Sequence, residues 1–218
     1  MSKKWFKNSR MIDQSKLNAK QIIIQLIFCF ILGVILGVLA KFSDTFPANG
    51  AIGMFFNFIS DITTNIGIWV ALATLIAVWS RNPFIAAIKV LTFFFGMLLA
   101  YYIYSQMLFG FFPTYYFLHW GIIALLSPFA AYIVWYSRGE GWGAAICAAL
   151  PIGLLLTQGY PFFYVFSIVT GFDLFVAILL LVLLMKSKWQ YLKVVPLSIL
   201  MFIILRNFNI LSYIFGGF

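Results

Sequence analysis

The stretch Met97–Trp120, MLLAYYIYSQMLFGFFPTYYFLHW, carries no acidic, lysine or arginine side chain, yet it breaks in its middle. An apolar run leaves through Tyr101, Tyr102 and Tyr104, turns at Phe109-Gly110-Phe111-Phe112-Pro113, and returns through Tyr115, Tyr116 and Trp120. Glycine and proline stop helices, and tyrosine and tryptophan favour the headgroup layer of a bilayer. The pattern predicts two membrane helices joined by a turn in the interface. The returning helix holds the single histidine of the chain, His119.

The rest of the sequence makes the bilayer the only suitable solvent. Of 218 residues, 64% are hydrophobic and 9% charged, with a mean hydropathy of +1.05. A soluble domain is about half apolar and about a quarter charged. A membrane helix needs about 20 largely apolar residues, so the length allows six or seven spans with short loops. The expected fold is all-α, a polytopic transmembrane helical bundle of six or seven spans with a cytoplasmic N-terminus. Residues 1–20 form a basic cytoplasmic segment, with an amphipathic turn around Trp5 and Phe6, and residues 21–218 a single transmembrane domain.

The net charge of +9 does not point to nucleic acid. Lys3, Lys4, Lys7, Arg10, Lys16 and Lys20 precede the first span, and Lys186, Lys188 and Lys193 cluster between two later ones. Positive residues gather in cytoplasmic loops, and Arg81 and Arg138 follow the same rule, with Lys41 the exception. The basic start and the apolar run Ile22–Ala40 resemble a signal peptide, but the run is too long and Lys41-Phe42-Ser43-Asp44 is a poor cleavage site, so it reads as a retained span. Cys29 and Cys147 sit in apolar runs without metal-ligand spacing and read as small buried residues.

In chain order the expected spans are Gln21–Ala40, Thr63–Trp79, Phe84–Met107, Tyr115–Tyr136, Trp142–Thr157, Phe162–Met185, and a last one from Val194 through Arg206 to Tyr213 or beyond. Ala51–Trp79 as one helix would be about 43 Å long against a core of about 30 Å. It is divided at Ser60-Asp61, with Asp61 as the N-cap of the second part and the first part lying in, or re-entering, the outer interface. Lys89 snorkels to the inner headgroups. Gly33 and Gly37, and Ala145, Ala149 and Gly153, form small-residue stripes that let helices approach closely. Pro128 and Pro151 bend their helices, and Gly171-Phe172-Asp173 interrupts the sixth span.

Ionisable groups at membrane depth are costly and so become functional candidates. Asp173 and Arg206, entering from opposite faces, would reach similar depth near the midplane and could pair, either as a structural ion pair or as the floor of a cavity. His119, Tyr101, Tyr102 and Gln158 would stand around that floor. Thr63, Thr64, Asn65, Gln106, Asn207, Asn209, Tyr104, Tyr115, Tyr116 and Tyr160 fall in the same outer half. Apolar and aromatic walls with a few convergent polar groups describe ligand pockets; interfacial aromatics and interhelical hydrogen bonds explain the same residues without one.

Enzyme signatures are missing. There is no H-E-x-x-H, no G-x-S-x-G and no cluster able to hold a metal, and five acids with one histidine leave little for acid–base chemistry. No catalytic residue, metal or cofactor is expected. Arg206 stands where a seven-helix retinal protein needs a lysine, and no internal repeat is visible although small sugar carriers are built from three-helix repeats.

The runs GVILGVLAKFSDTFP, GIWVALATLIAVWSRNP, FFFGMLLAYYIYS and WYSRGEGWGAA resemble a family of uncharacterised bacterial multi-pass membrane proteins, over most of the chain. That resemblance implies a bacterial cytoplasmic membrane and brings no activity. In size and small-residue packing the chain is also similar to the vitamin-binding subunits of energy-coupling-factor transporters, although a seventh span would depart from them. Function is therefore expected to be non-enzymatic: a solute-binding or transport component taking a small amphipathic or aromatic molecule from outside. The alternative is a membrane scaffold or immunity-type protein that binds a membrane partner subunit through its small-residue stripes.

Overall fold

The computed structural model describes residues 18–208, and every regular element among them is helical. Eight α-helices follow in order: α1 (Ala19–Thr45), α2 (Gly50–Thr64), α3 (Ile66–Val78), α4 (Pro83–Phe109), α5 (Thr114–Trp135), α6 (Gly141–Gly159), α7 (Ile168–Leu184) and α8 (Lys188–Asn207). Short 3-10 turns extend α5 over Tyr136–Arg138 and α6 over Tyr160–Phe163. Five helices (α1, α4, α5, α6 and α8) are long and apolar enough to cross a membrane, and six spans result when the bent pair α2–α3 counts as one. The 17 residues of α7 are apolar and, at 1.5 Å per residue, reach about 26 Å, the short end of what crosses a bilayer.

Small residues face inward and large aliphatic ones outward, which is the arrangement a lipid solvent favours. On α1, Cys29, Gly33 and Gly37 are buried while Ile23, Ile27, Ile31 and Ile35 are exposed. In lipid, leucine and isoleucine gain nothing by hiding from the solvent, so close backbone approach and van der Waals contact hold the helices together. Gly33 lies against the backbone of Phe93 and Met97, Gly37 against Met97 and Ala100, and Gly96 of α4 against Phe30. The ascending order of these contacts makes α1 and α4 a parallel pair. A second parallel pair forms at the far side: Gly153 of α6 meets Ser198 and Met201 of α8, and the Gln190 side chain donates to the Gly141 carbonyl at 3.0 Å. Ala145 and Ala149 are buried on α6. Both stripes are therefore occupied within the chain.

Helices α3, α5 and α7 run antiparallel to these pairs, and α2 is turned 70° away from α3. At one end the Trp135 indole of α5 donates to the Ser80 carbonyl after α3, at 2.7 Å, and Arg138 covers the ring of Trp79. At the other end the starts of α3, α5 and α7 meet the finishes of α1, α4, α6 and α8. Pro128 removes the donor that would serve the Ala124 carbonyl, and the neighbouring Ser127 hydroxyl donates to that carbonyl at 2.7 Å, so α5 continues through it.

Three expectations about the elements need correction. The break in the second span falls at Asn65, not Ser60-Asp61, and turns the chain by 70°. Asp61 is exposed inside α2 and caps nothing, because Thr63, Thr64 and Asn65 take up the last free carbonyls of that helix: Thr64 Oγ1 donates to Ser60 O at 2.8 Å and Asn65 Nδ2 to Asp61 O at 2.8 Å. Gly171-Phe172-Asp173 does not interrupt a span; it lies in the opening turns of α7, and the true discontinuity is the turn before Ile168. The last helix starts at Lys188 rather than Val194. The expected turn at Trp5 and Phe6, the basic residues up to Lys16, Asn209 and the continuation to Tyr213 lie outside the described residues.

Candidate functional site

At the end where α3 begins, the bend leaves a gap that the neighbouring helices do not fill. It is a cavity of about 620 Å³, within the range of small-molecule sites. Ala40, Lys41 and Asp44 of α1 form one wall, and Thr63, Thr64, Asn65 and Ile66 of the break with Trp69 of α3 form the second. The third is the C-terminal half of α4 (Met97, Leu98, Tyr101, Tyr102, Ser105, Phe109), and Phe111, Pro113, Tyr116, Trp120 and Gln158 complete it.

The break is held open by local chemistry. A 70° bend frees backbone groups, and in an apolar surrounding each must find a partner. The Trp69 indole reaches back to the Thr63 carbonyl at 2.7 Å, and the Asn65 amide serves Asp61. With its side chain turned back to α2, Asn65 makes no capping bond to α3. A buried carboxyl group, Asp173, lies against Gly67 in that first turn, where negative charge suits the positive end of a helix.

The charged centre of the cavity is a pair in the last turns of α1. Lys41 Nζ lies 2.7 Å from Asp44 Oδ2; the lysine side chain is 8% exposed and the aspartate 41%. Burying an ammonium requires compensation, and here it comes from the carboxylate and from two ring faces. The ammonium stands 5.1 Å from the centre of the Tyr101 ring and 4.8 Å from that of Phe109. Asp44 in turn faces the Tyr101 hydroxyl. Register explains the meeting: on a parallel pair where Gly33 faces Phe93 and Gly37 faces Met97, the next turn brings Lys41 to Tyr101.

Of the six residues named from sequence, Tyr101, Tyr102 and Gln158 line this cavity. Tyr102 is buried, with its ring against Phe112 and Phe117 across the α4–α5 turn. The other three stand elsewhere. His119 bonds through Nδ1 to the Tyr115 carbonyl in its own helix at 2.7 Å, and its ring lies tilted against that of Tyr115. Arg206 is exposed at the end of α8, its guanidinium 4.5 Å from the centre of the Tyr160 ring. Asp173 and Arg206 do not pair: the one ion pair among the described residues is Lys41–Asp44. Because α7 begins at Ile168 and α8 ends at Asn207, both residues sit near helix ends rather than at the midplane. Thr63, Thr64, Asn65 and Tyr116 line the cavity as well, whereas Gln106, Tyr104, Tyr115, Tyr160 and Asn207 do not. Lys41, Asp44, Ser105, Trp69 and Trp120 were not named for it.

Residues 16–212 match the model of a family described as a family of unknown function (DUF6518), a stretch that takes in all eight helices. No curated protein and no solved structure matches the chain.

Proposed function

We propose, from the premise that the chain belongs to the DUF6518 family of unknown function, that it is a solute-binding or transport component of a bacterial cytoplasmic membrane. It takes a small amphipathic or aromatic molecule into the cavity between α1, α3 and α4. The observation that carries this reading is the cavity itself: seven aromatic residues (Trp69, Tyr101, Tyr102, Phe109, Phe111, Tyr116 and Trp120) surround a buried ammonium–carboxylate pair. A bilayer protein that only needed to be stable would have little reason to keep a lysine so deeply covered. A helix broken beside a polar cavity also suits transport, because irregular backbone is tolerated at membrane depth only where it is covered or lines such a space.

Charge supports an outward-facing mouth. The end away from the cavity carries Lys20, Arg81, Arg138, Lys186, Lys188 and Lys193 with the single acid Glu140, and the cavity end carries Lys41 and Arg206 beside Asp44, Asp61 and Asp173. By the positive-inside rule the first end is cytoplasmic. The scaffold alternative has less to stand on, since Gly33, Gly37 and Gly153 already face helices of the same chain.

Orientation and access are tested together with Thr64→Cys in a chain whose Cys29 and Cys147 are replaced by serine. Thr64 is exposed and lines the cavity. A membrane-impermeant maleimide added outside intact cells is expected to label it. Labelling only after the cytoplasmic face is opened would overturn the outward-facing reading.

A further inference from the structure

The cavity's charged pair specifies more than polarity. A lysine ammonium has three N–H donors. Among the described residues Lys41 meets one acceptor, Asp44 Oδ2, and its other neighbours are the faces of Tyr101 and Phe109. Ring faces attract the charge, but they supply no oxygen to the remaining donors. Asp44 is the converse. Its carboxylate offers several lone-pair sites, and its side chain is 41% exposed, so acceptor capacity remains open toward the mouth.

Among the described residues the lining contains one lysine and one aspartate and is formally neutral. A ligand with a single charge would leave a net charge among aromatic walls, at the cost of an uncompensated buried ion. A ligand with both charges would keep the site neutral and extend the pair into an alternating set of four. We propose that the solute is an aromatic zwitterion of the α-amino-acid kind. Its anionic group accepts from Lys41, its cationic group donates to Asp44, and its ring lies among Trp69, Tyr102 and Trp120. The inference rests on the reading of the cavity as a solute site and specifies the chemical class of that solute. The same paired charges occur on a zwitterionic lipid headgroup, and the test separates the two sources.

Four probes share one ring system: tryptophan with both charges, tryptamine with the cation only, indole-3-propionate with the anion only, and indole with neither. Their binding is measured to the full chain in nanodiscs of phosphatidylglycerol. Tryptophan is expected to bind tighter than each of the others by about 30-fold or more, the scale of losing one partner of a buried charge pair. In Lys41→Met the preference for tryptophan over tryptamine disappears, and in Asp44→Asn the preference over indole-3-propionate disappears. The four-probe comparison on the unaltered chain stands even if a variant does not fold. Indole binding as tightly as tryptophan would overturn the zwitterion inference while leaving the solute site intact. If none of the four binds, nanodiscs of phosphatidylethanolamine decide the source. Retention of that lipid by the unaltered chain, lost in both variants, assigns the paired charges to a headgroup; no retention overturns the inference outright.

Discussion

Gly33→Ala is expected to destabilise the protein by about 1–3 kcal/mol, and Gly33→Leu to prevent the bundle from forming. A Cβ at Gly33 falls on the Phe93 carbonyl oxygen and within 2.9 Å of the Met97 nitrogen. Both are backbone atoms of a neighbouring helix, so no side chain can swing aside and the two helices must separate. Separation loses the contacts at Gly37 and Gly96 as well, because all three lie along one seam. It also moves Lys41 away from Tyr101, since the same seam sets their register. Gly121 supplies the control: a Cβ there meets nothing within 4 Å, so Gly121→Ala should leave thermal unfolding in detergent unchanged or raise it. Equal effects at the two positions would show that helix propensity, not close approach, governs the seam.

The second large effect is a coupled one. A Cβ at Gly67 falls on the carboxylate of Asp173, and that carboxylate has little room to withdraw. The start of α7 is clamped, with Leu174 against Gly159 and Phe162 against Gly171. Gly67→Ala should therefore cost about 1–3 kcal/mol. In an Asp173→Ala background the same change should cost far less, giving a coupling of about 1 kcal/mol or more in a double-mutant cycle. Strictly additive effects would mean that Asp173 is not what holds position 67 to glycine. A single loss in both variants would also loosen the first turn of α3, which carries Asn65 and Trp69 to the cavity.

These positions show what could and could not be read from the residues. The helices were legible because apolar runs, the Asn82-Pro83 start and the Gly110 stop are local signals: Asn82 Oδ1 accepts from Ile85 N at 2.7 Å, and Gly110 takes a φ of 74°. The small-residue stripes were legible as packing faces for a similar reason. The break at Asn65 was misplaced by four residues because Asp61 looks like a cap, whereas the real determinants are side chains that bond backward. These are Thr64, Asn65 and Trp69, and the Trp69 bond spans the break. Asp173 and Arg206 were assigned to the midplane by counting from element boundaries that were themselves displaced. Lys41 and Asp44 were passed over because charges after an apolar run ordinarily mark the end of a span. The missing information was tertiary: only the register of α1 against α4 brings Lys41 to Tyr101 and Phe109. One signal was available, since positions 41 and 44 share a helix face.

The most direct measurement is native mass spectrometry of the full chain purified in mild detergent, beside Thr64→Trp. That substitution places an indole at the exposed rim of the cavity, where it obstructs the space without entering the helix seams. A small molecule retained by the unaltered protein and absent from the variant is the expected result. An unaltered protein that carries no small molecule, or one that keeps the same molecule after Thr64→Trp, would contradict a solute site in this cavity.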